Sequence, residues 1–159
     1  SGGRIWISEA GQSDFTQTLL QELESYGIPF LKEKIIVVQH SSWNEKETSV
    51  EALKYVKAST TYIKIPDGNA ENNGTPGFNN EKFNVKNLED TKLISSKAWG
   101  EANKISTAYN GVNGRYNNKA IANGGADFSD LVEVTFTLGI KDIANVSDFF
   151  IKYNDKIKR

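Results

Sequence analysis

The sequence has no cysteine and no methionine, a single histidine and three prolines. Without cysteine, disulfides and thiolate chemistry are excluded and the redox environment leaves no trace. With one histidine, a zinc site would have to draw most of its ligands from carboxylates. No apolar run approaches the length of a membrane span and no charged-then-apolar segment opens the chain, so a soluble domain with no membrane partner is expected and no compartment is indicated. The 19 basic and 20 acidic residues leave a net charge of -1 without a basic stripe of the kind that tracks phosphates, which argues against nucleic acid. Strong catalytic fingerprints are missing too: there is no Walker loop, no G-x-S-x-G elbow, no HExxH, and Gly11 stands alone where a dinucleotide fingerprint would need a glycine-rich loop. A chain without methionine that opens on Ser1-Gly2-Gly3, just before strand-like Arg4-Ile5-Trp6-Ile7, reads either as a piece of something larger or as a chain carrying the remnant of a tag. Its partner would then be the other half of that larger chain or a second copy of itself.

What is present is organised around Ile35 to Glu45, IIVVQHSSWNE, where a β-branched run breaks straight into polar and aromatic side chains. Such a run has no helical period and suits a strand buried on both faces, as in a parallel sheet. Before it, Arg4 to Ser8 reads as a strand, Glu9 to Ser13 as a tight loop, and Asp14 onward as a helix with Phe15, Leu19, Leu20, Leu23 and Tyr26 on its apolar face and Asp14 with Gln17 as a capping box. After it, Thr48 with Glu51 opens a second helix that turns Val50, Leu53, Val56 and Tyr55 inward, and Thr61 to Ile65 reads as a third strand ending at Pro66-Asp67-Gly68-Asn69. The expected fold is α/β: a single layered Rossmann-like domain over residues 1–159, with a short, mostly parallel sheet flanked by helices.

Ligands bind outside the carboxyl ends of parallel strands, and right-handed crossovers bring those ends to one edge. The site candidates follow from that rule. His40, Asp14 and Asp67 are the candidate catalytic groups; Glu9, Gln12, Ser13, Trp43, Asn44, Glu45, Asn69 and Asn73 are the candidate ligand contacts. Each has a plainer reading beside the functional one: Asp14 as a helix cap, Asp67 as part of a Pro-Asp-Gly turn, His40 as a hydrogen-bonding loop residue. For a cation, oxygen-ligated Ca²⁺ or Mg²⁺ held by Glu9, Asp14, Asp67 or Asp127 is chemically easier than zinc.

Residues 70–90, crowded with Asn, Gly and Pro, read as an irregular, lid-like loop leaving the same edge. A third helix runs from about Asp90 to Tyr109, with Ile94, Ala98, Ala102, Ile105 and Tyr109 on one face and Trp99 as core, followed by a Gly/Asn loop in which Arg115 is either a solvated charge or a contact for an anionic or planar ligand. The run Leu131 to Leu138 fits both a strand and a helix, with Asp127 as cap and Gly139 as stop favouring the helix. A last helix starts at Val146.

The order strand, EAGQSDFTQTLLQELE, strand, QHSSWNEKET, strand, IPDGN resembles the nucleoside-hydrolase-like domains of bacterial carbohydrate-associated proteins over about residues 4–69. That resemblance implies hydrolysis or binding of an N-glycoside with a Ca²⁺ ion held by strand-end aspartates, although the family's aspartate-rich motif near the first strand has no counterpart here. The functional expectation is binding, and possible hydrolysis, of a sugar- or nucleoside-type ligand at the carboxyl ends of the strands. Trp43, Tyr62 and Phe78 would offer faces for stacking, and Asn44, Asp67 and Asn69 bonds to hydroxyls. The alternative is a non-catalytic interaction or carbohydrate-binding domain built on Asn-rich loops.

Overall fold

A computed structural model describes residues 2–70, 73, 75, 94–124 and 127–153. The chain falls into two compact units, one formed by residues 1–75 and 130–142, the other by 76–129 and 143–159. The first unit is an α/β layer structure. Its three strands, β1 (Ile5–Glu9), β2 (Ile35–His40) and β3 (Thr61–Ile65), form a parallel sheet in the order β1-β2-β3. The register pairs Glu9 with Gln39 and His40 with Ile65, so all three strands end at one edge. The central strand is buried along its whole length, as its unbroken β-branched run requires.

Helices α1 (Asp14–Ser25) and α3 (Val50–Ser59) make the two crossovers and pack on each other. Between β2 and α3 lies a short helix, α2 (Ser42–Glu47), where the sequence suggested only a loop. Helix α1 does not bury the stripe its leucines and aromatics suggest. Thr16 and Leu20 face inward while Phe15, Leu19 and Tyr26 are exposed. The cause is polar: the carboxylate of Glu9 is buried at the end of β1, and only the Ser13–Thr16–Leu20 face offers it hydroxyls. The capping boxes also move. Ser13 holds the N-cap position of α1, Ser49 caps α3 by accepting from the Ala52 N–H, and Asp14 accepts from the Ser49 N–H instead of closing its own helix. That shift leaves Val50 exposed and buries Ala52 and Val56.

Residues 131–138 are resolved in favour of a helix. Helix α6 (Leu131–Thr137) packs on β1 and β2, with Val132, Glu133 and Thr135 buried and Asp130, not Asp127, at the N-cap position. Gly139, at φ +67, ends it with its N–H on the Phe136 carbonyl and the Ile140 N–H on the Thr135 carbonyl, a paired closure that needs a left-handed residue.

The second unit contains α4 (Ile94–Tyr109), α5 (Lys119–Ala122) and α7 (Val146–Tyr153). Ala102, Ile105 and Tyr109 of α4 are exposed. In the following loop the asparagines act as backbone clamps: Asn110 bonds Asn118 in both directions, and Asn118 accepts from the Ala120 and Ile121 N–H groups to cap α5. Arg115 lies over the Tyr109 ring and donates to the Val112 carbonyl. The side chains of Ala98 and Trp99, and most of the 70–90 stretch with Phe78, lie outside the described residues. No helix among the described residues is long and apolar enough to cross a membrane.

Elements α2, α3 and β3 are tied by Glu45, whose carboxylate oxygens each lie 2.7 Å from a lysine ammonium, Lys57 and Lys64. Burial works to raise the Glu45 pKa and is outweighed by these two cations, so it lies below its ordinary value. A depressed carboxylate stabilises the fold above its unfolded pKa and loses that contribution as pH falls through the folded one. Glu45→Gln should therefore cost about 1 kcal/mol near neutral pH, given two half-exposed lysine partners. The difference from the parent should vanish by about pH 3 in urea titrations.

Candidate functional site

Consecutive strand residues point to opposite faces of a sheet, and at the end of β2 both faces are polar. Gln39 points to the face covered by α1 and α3. There its amide nitrogen donates to Glu9 Oε2 at 2.9 Å and to the Gly11 carbonyl, and its oxygen accepts from Asn44 Nδ2 at 2.9 Å. Glu9 also accepts from the hydroxyls of Ser13 and Thr16. Thr48 closes the network, accepting from the Ser13 N–H and donating to the Asn44 carbonyl. Every one of these side chains is buried.

His40 points to the other face, toward α6. Its ring is almost wholly buried, yet it is ringed by carboxylates of graded exposure: Glu133 at 0%, Asp67 at 39% and Asp130 at 55%. The Gly68 N–H donates to Nδ1 at 3.1 Å, which places the proton of the neutral ring on Nε2. Nε2 lies 3.2 Å from Asp130 Oδ1 and 3.9 Å from Glu133 Oε1, and Nδ1 lies 3.6 Å from Asp67 Oδ1. Glu133 Oε1 also accepts from the His40 backbone N–H at 3.0 Å, while Oε2 is buried without a hydrogen-bond partner among the described residues. Burial pushes the Glu133 carboxyl up to about 7, against the lowering effect of His40. For His40, burial acts to lower the pKa and is outweighed by the Asp130 hydrogen bond and the charges of Glu133, Asp130 and Asp67, leaving it above its ordinary value. A buried imidazole with a buried carboxyl behind it and two open carboxylates in front can pass a proton between interior and solvent.

The strand ends thus meet at one edge, but in two layers. Glu9, Ser13 and Asn44 are bonded into the Gln39 network, and Glu45 to its lysines. Asp14 receives the Ser49 N–H. Gln12 and Trp43 are exposed. Asp67 shares the His40 cluster and accepts from the Asn69 N–H, and Asn73 closes the same turn by donating to the Asp67 carbonyl. Of the carboxylates considered for Ca²⁺ or Mg²⁺, Glu9 has three donors, Asp14 a backbone partner and Asp67 a place beside His40, while Asp127, in the second unit, is bonded to Asn118 and the Ser129 N–H. The first-strand region does not fit a calcium cage. Asp130 and Glu133 were not singled out in the sequence. The available signal was the D-x-x-E spacing, which puts both on one helical face, and the isolation of Glu133 in an apolar run.

Between β2 and α2, Ser41 takes φ 72 and ψ 140 while its Oγ accepts from the Trp43 N–H at 3.0 Å. No family model, curated protein or solved structure matches the chain. The class that fold and site define is therefore a small α/β unit with a buried histidine-carboxylate cluster at the carboxyl edge of its sheet.

A non-glycine residue at that φ and ψ costs roughly 1–3 kcal/mol, whereas losing a serine N-cap to glycine costs only a few tenths. Ser41→Gly should raise stability by about 1 kcal/mol in chemical denaturation, even after glycine's entropy cost. Ser41→Ala, which keeps the strain and loses the cap, should lower it by about 1 kcal/mol.

Proposed function

We propose that this domain binds a small polar ligand of sugar or nucleoside type at the carboxyl edge of the sheet and hydrolyses it, with His40 as the proton-handling group. The observation that carries this reading is the His40 cluster itself: a buried imidazole at the end of the central strand, flanked by the open carboxylates of Asp67 and Asp130. Open carboxylates suit ligand hydroxyls, and a buried imidazole is shielded from bulk water. Trp43, exposed three residues beyond His40, supports a stacking contribution from a ring. Asp67 and Asp130 would bind and orient, and His40 would transfer the proton, with Glu133 holding its ring. Melting followed across a panel of ribosides and glycosides, alongside release of reducing sugar, tests the reading. A saturable shift lost in Asp130→Ala and Asp67→Ala, with sugar release lost in His40→Gln, is the expected outcome. No shift and no release with any member of the panel would remove the reading.

A second reading, an interaction domain, is favoured by one feature. Phe15, Leu19 and Tyr26 fall within about 40° of one another around α1 at 100° per residue, and all three are exposed, as is Val50. If this stripe meets a protein surface, the chain should associate with rising concentration in light scattering, and Phe15→Lys with Leu19→Lys should abolish that. The same pair of changes should leave any glycoside-induced shift in melting unaltered.

A further inference from the structure

We propose that His40, Asp130 and Glu133 form a binding site for a divalent transition-metal ion, with Asp67 ordering the imidazole from outside. The three side chains bring one ligand atom each within 4.8 Å of one another. Ligand atoms held at about 2.0–2.2 Å from one tetrahedral ion stand ~3.3–3.6 Å apart. Nε2 and Asp130 Oδ1 are already 3.2 Å apart, Glu133 Oε1 lies 3.9 Å from Nε2, and with all three ligand atoms within 4.8 Å the two carboxylates have to draw together to share one ion. Two of the three come from α6 at positions i and i+3, so one helical turn fixes their spacing, and the third comes from the rigid central strand.

A separate observation points to a cation. Glu133 is fully buried and its Oε2 has no hydrogen-bond partner among the described residues, a costly arrangement for a carboxyl group in a protein interior. On the opposite face of the same sheet the buried Glu9 has a full set of donors, so this fold supplies them where the carboxylate is purely structural. A metal ion bound between Glu133, Asp130 and Nε2 would neutralise the buried carboxylate. The imidazole nitrogen selects against Ca²⁺ and Mg²⁺, which prefer all-oxygen sets, and toward Zn²⁺, Mn²⁺ or Co²⁺. Asp130, more than half exposed, leaves the ion a side open to water or ligand.

Coordination through Nε2 moves the ring proton to Nδ1. There it can no longer accept the Gly68 N–H, and the Asp67 carboxylate at 3.6 Å becomes the acceptor. A carboxylate behind a metal-bound imidazole is the usual device for fixing ring tautomer and orientation. Metal loading is thereby coupled to the turn at Asp67-Gly68.

The inference does not depend on the ligand reading and replaces its role for His40, since a ring bound to metal through Nε2 no longer transfers a proton there. Chelator-treated protein would be titrated separately with Zn²⁺, Mn²⁺, Co²⁺ and Ca²⁺, followed by calorimetry and melting, with the visible absorption of Co²⁺ reporting nitrogen and oxygen coordination. Saturable binding of a transition metal with a rise in melting temperature is expected, with Ca²⁺ much weaker. Asp67→Ala should weaken it about tenfold, as loss of an outer partner does. Glu133→Gln should abolish binding while melting at or above the metal-free parent, because it removes a buried carboxyl and keeps its shape. No saturable binding by the parent would overturn the proposal. So would binding that survives both Glu133→Gln and His40→Gln, since the ion would then sit elsewhere. Metal binding without any glycoside response would leave this site standing and sink the hydrolase reading; the reverse result would sink only the metal.

Discussion

The carboxyl edge of this sheet depends on one buried charge. Glu9 ends β1 with its carboxylate inside the protein, where an unpaired ion would be untenable. Three donors from α1 and β2 meet it. Satisfying that carboxylate rotates α1 so that Ser13 and Thr16 face the sheet, which turns Phe15 and Leu19 out to solvent. The same need fixes Gln39, whose oxygen then holds Asn44 and so the start of α2. Hydrogen bonds to a charged group are worth about 1.5–3 kcal/mol each net, much the same as burying one leucine, so three of them together outweigh the loss of a leucine from the buried face and the polar demand wins over the apolar pattern.

A strand's two-residue period does the rest. Because Gln39 is committed to the α1 face, His40 must point to the face of α6. The two polar layers differ in kind. On the Gln39 side the bonded side chains are all buried, and the network acts as a clamp between β1, β2, α1 and α2. On the His40 side the carboxylates run from buried Glu133 to exposed Asp130, and one oxygen is left without a partner among the described residues. Buried polar groups that are fully satisfied specify a fold; those that are not mark a place where something else can act.

The elements with strong local patterns were legible in the sequence. The strand IIVVQH, the third strand TYIKI and the helices beginning near Asp14, Val50 and Val146 lie close to where spacing placed them. The helix at Ser42 was not legible, since it has six residues and its start depends on a positive φ at Ser41 that no propensity signals. Helix faces were misjudged at α1 because counting apolar residues ignores what a buried glutamate requires. At the site, His40 and Asp67 could be placed together from strand order alone. Asp130 and Glu133 could not, because they return from far along the chain on a segment whose pattern suits strand and helix equally.

The Glu9 network and the His40 cluster share β2 as adjacent residues, and among the described residues no hydrogen bond joins their side chains; their link is the backbone of Gln39-His40 and the Asn44 amide, which touches the Gln39 oxygen and the His40 carbonyl. Loss of the clamp would therefore shift the His40 backbone, and with it the N–H that Glu133 accepts, before it changed any group in the cluster itself. The chemistry of the open face is in this sense positioned by the closed one. A fold with only three strands in its described sheet can hold a buried histidine in place because the strand that carries it is braced from behind.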